Sequence, residues 1–212
     1  MLDKERVAST SKAEAIKQAT FSLIVERGFV NMTTAMIADK ADASKGLIHY
    51  YFGSKEGLII EVMRSLRESY IIAVKEVMEQ YPDNEERLEK GIRDFWEAFK
   101  ADPSLMIAIF EITINGRNTK ELRERIVEFH RGVVDELKES MLAGWGATDR
   151  EAEKEAEAIL TIVLGVLESM CLHYILDPQS TDFDYALVLL RDIFRNMVRE
   201  RSGSSLMEIP TE

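Results

Sequence analysis

Apolar residues recur along this chain at spacings of three and four positions, which is the period of an amphipathic α-helix. Between residues 12 and 27, for example, Ile16, Ala19, Leu23 and Ile24 fall on one side of a helix. We find no convincing alternation of apolar and polar residues of the kind that a half-buried β-strand needs. The pattern therefore predicts an all-α protein.

Capping residues and helix breakers divide this pattern into about nine helices. Thr33, Ser44 and Ser54 are suited to cap helices, because their side-chain oxygens accept hydrogen bonds from the free N–H groups of a first turn. Gly28 and Pro82 mark two of the helix ends. The predicted helices span about residues 12–27, 34–41, 46–51, 55–80, 88–102, 103–115, 120–143, 149–176 and 183–201.

The chain is acidic overall, with a net charge of −11 at pH 7, but the acidity is unevenly distributed. Residues 1–60 hold eight basic and seven acidic side chains, whereas residues 61–212 hold 19 and 31. An acidic body repels the phosphate backbone of DNA, so a DNA-binding surface on this chain has to be local and oriented. We expect any such surface within the first quarter of the chain.

The remaining composition is typical of a soluble cytoplasmic protein, with 46% hydrophobic and 31% charged residues. Cys171 is the single cysteine, which excludes an intramolecular disulfide and is compatible with a reducing compartment. Four of the first six residues are charged, and no apolar core of a secretory signal follows them. Residues 158–176 are mostly apolar but include Glu168, so we expect a helix buried in protein rather than in a membrane.

Residues 33–55 have the composition of two short helices joined by a tight turn. Residues 44–46, Ser-Lys-Gly, give the second helix a small and cationic start, which lets its backbone approach a DNA groove. The side chains that follow are suited to base edges, thymine methyl groups or phosphates. They are Leu47, His49, Tyr50 and Tyr51.

The helices on either side are suited to bind phosphates of the same DNA. Thr33 and Thr34 open the preceding helix, and the N-terminal amides of a helix bind phosphate oxygens. Lys55 opens the following helix. These residues also have purely structural interpretations, with Thr33 as a helix cap, Lys55 as a solvated lysine and Tyr51 as a core aromatic.

A set of motifs with fixed spacing runs over about residues 12–60. The motifs are Gly28-Phe29, Thr33-Thr34, Ile37-Ala38, Ser44-Lys45-Gly46, Tyr50-Tyr51-Phe52 and Ser54-Lys55-Glu56-Gly57-Leu58. This combination resembles the DNA-binding domain of TetR-family transcriptional regulators. Residues 49–58, together with Phe95-Trp96, are more weakly similar to the branch that contains the betaine-biosynthesis repressor.

The resemblance implies a fold with an N-terminal three-helix helix-turn-helix DNA-binding domain over residues 1–54. A larger helical ligand-binding and dimerisation domain is expected over residues 55–201, and residues 202–212 are expected to form a disordered tail. The resemblance also implies which residues contact double-stranded DNA. They are Thr33, Thr34, Ala35, Ser44, Lys45, Gly46, Leu47, His49, Tyr50, Tyr51 and Lys55.

The chain departs from the family pattern at three positions. Asp42 occupies the turn between the two helices, where glycine is common, and an aspartate adopts the left-handed backbone at some cost. His49 takes the place of a favoured tyrosine, and Ala35 takes the place of an arginine that contacts bases in some relatives. Base readout is then expected to depend more on Lys45, Leu47 and Tyr50.

By resemblance, the last two long helices pair with those of a second copy in a four-helix interface. The helix over 149–176 is apolar over most of its girth, so the core is expected to cover one side and a partner the other. The alternative is that the apolar residues of this helix pack entirely within a single chain. The predicted interface residues are Ile159, Val163, Val166, Leu167, Leu190 and Phe194.

The resemblance further implies a pocket for a small-molecule effector in the helical body. Aromatic side chains and adaptable methionines suit a largely apolar effector, although each of them is also a candidate for the ordinary core. The predicted pocket residues are Phe95, Trp96, Phe99, Met106, Phe110, Phe129 and Met170. The histidines His130 and His173 are isolated, so the sequence indicates neither a metal site nor a cofactor.

These observations predict a homodimeric, ligand-responsive DNA-binding regulator, most simply a repressor that an inducer releases from its operator. One alternative is a helical-bundle enzyme or small-molecule carrier, but the sequence contains no phosphate loop and no Ser-His-Asp order to support catalysis. Another alternative is a helix-turn-helix factor that has no inducer.

Overall fold

The structure is a computed structural model, and it describes the backbone of residues 2–80, 84–146 and 149–203. Side chains are described for residues 11–72, 90–143, 146, 149–193 and 195. The described residues form nine helices and no strand. The helices are α1 Leu2–Arg27, α2 Thr34–Lys40, α3 Lys45–Phe52, α4 Lys55–Gln80, α5 Asn84–Ala101, α6 Ser104–Gly116, α7 Lys120–Trp145, α8 Arg150–Leu176 and α9 Phe183–Gly203.

The predicted all-α class is confirmed, and most helix boundaries fall within two residues of their predicted positions. The main difference is at the start of α1, which begins at Leu2 rather than at residue 12. Residues 2–11 are mostly polar and lack an apolar stripe, so their periodicity could not predict a helix. At the other end, α9 extends to Gly203, inside the predicted tail, and residues 204–212 lie outside the described residues.

The chain divides into two compact units that do not follow the predicted boundary after residue 54. The first unit combines residues 1–72 with residues 102–133, and the second combines residues 73–101 with residues 134–212. The first unit therefore contains α1 to α3 together with α6, which packs against α1. The assignment of DNA binding to residues 1–54 and of ligand binding to residues 55–201 remains a prediction.

The core of the first unit is made by the apolar stripes that the sequence predicts. On α1, Ile16 and Ile24 are completely buried, and on α2 and α3 the buried anchors are Ile37 and Ile48. Burying an isoleucine side chain contributes about 1.5–3 kcal/mol. This core holds α2 and α3 against α1, and it therefore fixes which face of α3 points to solvent.

In the second unit, four aromatic rings from α5, α8 and α9 pack together. Trp96 lies 5.3 Å from Phe99, 5.6 Å from Tyr174 and 5.7 Å from Phe183, measured between ring centroids. Each such pair contributes about 0.5–1.5 kcal/mol beyond its buried area. The Asp184 carboxylate accepts hydrogen bonds from Trp96 Nε1 at 3.2 Å and from Lys100 Nζ at 3.0 Å, which ties the first turn of α9 to α5.

Candidate nucleic-acid interface

The starts of α2 and α3 are fixed by side-chain caps. The Thr33 hydroxyl accepts a hydrogen bond from the Met36 amide at 3.3 Å. The Ser44 hydroxyl accepts one from the Leu47 amide at 3.0 Å. A cap of this kind stabilises a helix by about 1 kcal/mol. The predicted capping roles of both residues are confirmed, and they define where the two helices begin.

The turn between α2 and α3 has a left-handed residue at Asp42, whose φ is 48°. It is the only residue other than glycine with a positive φ among those the structure describes. Lys12 on α1 supports this turn, because its ammonium donates a hydrogen bond to the Asp42 carbonyl at 2.8 Å. The ammonium also lies 3.8 Å from the Asp42 carboxylate. Contacts from α1 therefore stabilise the backbone that glycine would adopt more readily.

One face of α3 carries exposed polar and aromatic side chains. Ile48 is buried on the opposite face, so Lys45, His49 and Tyr50 point to solvent. The Tyr50 side chain is 79% exposed, and its ring meets that of Tyr51 edge-on at 5.3 Å. A large aromatic side chain this exposed buries little area and contributes little to folding. This face has the shape and donors of an element that reads a DNA groove.

Every residue predicted to contact DNA is exposed or half-buried in the structure. Thr33 and Ala35 are exposed at the start of α2, where Thr34 is half-buried. Around α3, Ser44 and Gly46 are exposed, whereas Leu47 and Tyr51 are half-buried. Their contacts with DNA remain predictions, but none of them is removed from solvent by the fold.

The ammonium of Lys55 lies inside the first unit rather than facing solvent freely. It donates hydrogen bonds to the Met32 carbonyl at 2.5 Å and to the Phe29 carbonyl at 3.5 Å. It also lies 5.3 Å from the centre of the Phe29 ring, within the range of a cation–π contact. Burial lowers the pKa of Lys55, although the neighbouring Glu56 acts in the opposite direction. The structure therefore gives Lys55 a role in holding the loop before α2, and its predicted phosphate contact is not favoured by this geometry.

The same loop is also held by Glu111 on α6. The Glu111 carboxylate accepts a hydrogen bond from the Phe29 amide at 2.8 Å and one from Asn115 Nδ2 at 3.2 Å. Gly28 precedes this amide with a φ of 78°, a left-handed conformation that ends α1. Glu111 is 82 residues away from Phe29 in the chain, so no local pattern could have predicted this contact.

The α3–α4 corner is closed by a close backbone approach at Gly57. A Cβ atom at position 57 would collide with the carbonyl oxygen of Phe52. The Ser54 hydroxyl accepts a hydrogen bond from the Gly57 amide at 3.0 Å, which confirms the predicted cap. The glycine therefore allows α4 to start directly against the end of α3, and this fixes the orientation of the exposed α3 face.

The residues predicted to line an effector pocket are divided between the two units. Met106, Phe110 and Phe129 belong to the first unit, and the remaining four belong to the second. All of them are buried or half-buried. Trp96 and Phe99 already pack in the aromatic cluster of the second unit. A role in effector binding remains a prediction for each.

The predicted dimer residues divide between core and surface. Ile159, Val163, Leu167 and Leu190 are buried within the chain, whereas Val166 is 39% exposed. The side chain of Phe194 lies outside the described residues. The exposed apolar residues of α8 and α9 are more numerous than the prediction included. They are Ile162, Val166, Leu172, Leu176, Tyr185, Val188, Leu189 and Ile193.

Helix α8 is long and apolar enough to cross a membrane by length and composition alone, which is weak evidence because the core helix of a soluble protein meets the same test. One side of α8 is buried in the chain, where Cys171 is completely inaccessible. Burial raises the pKa of the Cys171 thiol to about 12. The part of the chain that the structure describes contains no group of three or more histidine, cysteine or acidic side chains placed to hold a metal ion.

Comparisons with known proteins agree with this geometry. A sequence model described as "Bacterial regulatory proteins, tetR family" matches residues 16–62. The chain is 26% identical over 186 residues to the HTH-type transcriptional regulator BetI of Vibrio campbellii, a match that covers 85% of this chain and 88% of that protein. These matches confirm the resemblance predicted from the motifs, including the weaker one to the betaine-repressor branch.

Solved structures show the same fold. A TetR transcription regulator from Haloarcula marismortui has a TM-score of 0.68 at 22% identity, with 90% of this chain and 97% of that chain covered. The transcriptional regulator FadR from Bacillus subtilis, solved in complex with stearoyl-CoA, has a TM-score of 0.67 at 20% identity. That match covers 87% of this chain and 96% of that chain. Both neighbours have the same all-α fold.

Proposed function

Because this chain belongs to the TetR family of bacterial transcriptional regulators, we propose that it is a homodimeric DNA-binding repressor that a small-molecule effector releases from its operator. The exposed face of α3, with Lys45, His49 and Tyr50, is the observation that carries the proposal. The relatives compared above are transcriptional regulators, and the chain is assigned to that class rather than to the enzymes. We expect the protein to act in the cytoplasm, because bacterial DNA is located there.

We propose the DNA contacts from the charge and hydrogen-bonding groups of the exposed side chains. Lys45 supplies a charged donor at the start of α3, and Tyr50 supplies a flat, exposed donor one turn later. The backbone amides at the starts of α2 and α3 are suited to phosphates. Phosphate contacts position the protein and base contacts specify the sequence, so both helices are needed for an operator.

The homodimer is supported by the apolar side of α8 and α9 that the chain itself leaves exposed. Ile162 is 50% exposed and Leu189 is 47% exposed. Several exposed apolar residues on the same two helices are typical of an interaction site. A second copy of the chain would cover them, and two α3 helices would then read half-sites about 34–36 Å apart on the DNA.

The effector is proposed to have a substantial apolar part. The Bacillus subtilis neighbour was solved with stearoyl-CoA, a ligand with a long apolar chain. In the present chain, methionine and phenylalanine side chains on α6 and α7 supply adaptable apolar surface, among them Met106 and Phe129. An effector that prefers a conformation with altered operator affinity shifts the population away from DNA.

A salt series of DNA-binding measurements tests the proposal. The fragment is the region upstream of the protein's own gene, and binding is followed by fluorescence anisotropy with unrelated DNA as competitor. We expect a specific complex whose log affinity falls linearly with log salt. Lys45→Ala should reduce that slope by about 1. Lys120→Ala, an exposed lysine on α7, is the matched control and should leave the slope unchanged.

Equal affinity for the upstream fragment and for unrelated DNA, at every salt concentration, would count against the proposed activity.

A further inference from the structure

Arg67 on α4 is an unpaired cation in the first unit. Its guanidinium makes no hydrogen bond or ion pair with any residue that the structure describes, and its Nε atom is buried without a partner. By contrast, Arg64 lies one turn earlier, is exposed and pairs with Glu61. A buried donor without an acceptor is costly, and more so when it carries charge. No described residue supplies this acceptor, so a bound molecule that carries one would satisfy Arg67.

Gly132 on α7 makes room for this guanidinium. A Cβ atom at position 132 would lie 2.5 Å from Arg67 Nη2 and 2.6 Å from Arg67 Nε. Gly132 is also in the interior of a helix, where glycine is less favourable than alanine. Two unfavourable features, a mid-helix glycine and an unpaired arginine, thus meet at one place. Such local conflicts concentrate at functional sites.

Buried apolar side chains lie one turn before Arg67 on α4 and one turn before Gly132 on α7. Met63 lies one turn before Arg67 on α4 and is buried. Phe129 lies three positions before Gly132, on the same side of α7, and is also buried. A ligand that satisfies Arg67 would therefore bring an anionic group for the guanidinium and an apolar group for these side chains.

We propose that Arg67, accommodated by Gly132, binds the anionic head group, a carboxylate or a phosphate, of an effector whose body is apolar. The planar guanidinium offers paired N–H donors that match both anions. This inference rests on the proposed function, since it names the chemical class of the effector.

The first test uses three series of straight-chain compounds of six to twelve carbons, namely alkyl carboxylates, alkyl phosphates and alkyl alcohols. The melting temperature Tm of the full-length protein is measured with each compound below its micelle concentration. A ligand that binds the native state raises Tm. We expect at least one anionic series to raise Tm and the alcohols of equal length to raise it less. Which anionic series is the better one distinguishes a carboxylate effector from a phosphate effector.

Three variants assign the effect to this site. Arg67→Met should remove the difference between anions and alcohols, and Gly132→Ala should reduce it, because the added methyl group displaces the guanidinium. Arg64→Met is the matched control and should respond as the wild type does. The inference is overturned if no anion raises the Tm of the wild type, if alcohols raise it equally, or if Arg67→Met retains the difference.

The second test needs no ligand. In the unliganded protein, Arg67→Met replaces an unsatisfied cation by an apolar side chain of similar length, and we expect Tm to rise by about 2–4 °C. A fall in Tm would overturn the inference, because it would show that Arg67 stabilises the fold. Operator binding without any compound is measured in parallel. If the wild type does not bind its operator at all, the proposed function is contradicted. If the wild type binds its operator but no anion raises its Tm, only the inference about Arg67 is contradicted.

Discussion

Tyr50 shows how a single residue separates folding from function. Its side chain is 79% exposed, and its ring meets that of Tyr51 edge-on at 5.3 Å. Ile48, two positions before it, is buried and belongs to the core. On one short helix, Ile48 therefore contributes to stability, whereas Tyr50 is left accessible for the proposed DNA contact.

Tyr50→Ala should lower operator affinity by about 1–3 kcal/mol, since a specific base contact contributes about that much. The free energy of unfolding should change by less than about 0.5 kcal/mol, as is usual for an exposed position. Anisotropy titration and urea unfolding measure the two effects. Tyr50→Phe shows how much of the loss comes from the hydroxyl. Affinity unchanged in Tyr50→Ala would mean that α3 does not read DNA with this residue.

The sequence predicts the structural role of some residues better than that of others. The place of Asp42 in the turn predicts a left-handed backbone there, and its φ of 48° confirms this. Lys55 illustrates the limit, because its partners Phe29 and Met32 are 26 and 23 residues away. A lysine at the start of a helix looks the same in the sequence whether it faces phosphate or two carbonyl groups of its own chain.

At the scale of helices, capping residues predict starts well because a cap is local. Thr33, Ser44 and Ser54 each accept a hydrogen bond from a residue three positions later. Contacts between distant helices cannot be predicted in this way. The Glu111 contact with the Phe29 amide joins α6 to the end of α1, and it explains why the first compact unit includes α6.

Gly57→Ala tests the close approach of α4 to α3. A methyl group there would meet the Phe52 carbonyl, so the substitution should lower the free energy of unfolding by about 1–3 kcal/mol. Gly46→Ala is the matched control on α3, where only the Ser44 hydroxyl lies within 4 Å of the added carbon. That change should be neutral or stabilising by up to about 1 kcal/mol. If Gly57→Ala behaves like its control in urea unfolding, the corner is not as tightly packed as described.

Glu111→Ala tests the contact between α6 and the end of α1. Loss of the acceptor should leave the Phe29 amide unpaired and destabilise the protein by about 1–2 kcal/mol. Hydrogen exchange at the Phe29 amide should become faster, which mass spectrometry or NMR detects. Asn115→Ala removes a neighbour of Glu111 but keeps the Phe29 hydrogen bond, so exchange at Phe29 should change little. Unchanged exchange in Glu111→Ala would show that the contact is not formed in solution.

At the scale of the whole molecule, the apolar girth of α8 divides into two sides with different partners. Ile159 and Val163 face the interior of the chain, whereas Ile162 and Val166 face solvent. The sequence predicts that both sides must be covered, but it does not say which residues lie on which side. The packing of α8 within the second unit decides that.

Ile162→Glu combined with Leu189→Glu should convert the proposed dimer into a monomer, because two buried charges per subunit would be left unpaired in the interface. Sedimentation equilibrium measures the molecular mass. Ile114→Glu places the same charge on an exposed apolar position of α6 and should leave the dimer intact. A monomeric wild type, or a double variant that remains dimeric, would show that this face is not the interface.

The central claim is that the acidic chain reads a specific two-fold symmetric DNA sequence through α3. In vitro selection from randomised double-stranded DNA tests it without assuming any operator sequence. We expect enrichment of an inverted repeat whose half-site centres are separated by one helical turn, about 10–10.5 base pairs, or a multiple of it. The double variant Lys45→Ala, Tyr50→Ala should enrich no sequence. Failure of the wild type to enrich any sequence, or equal enrichment by the double variant, would contradict the claim.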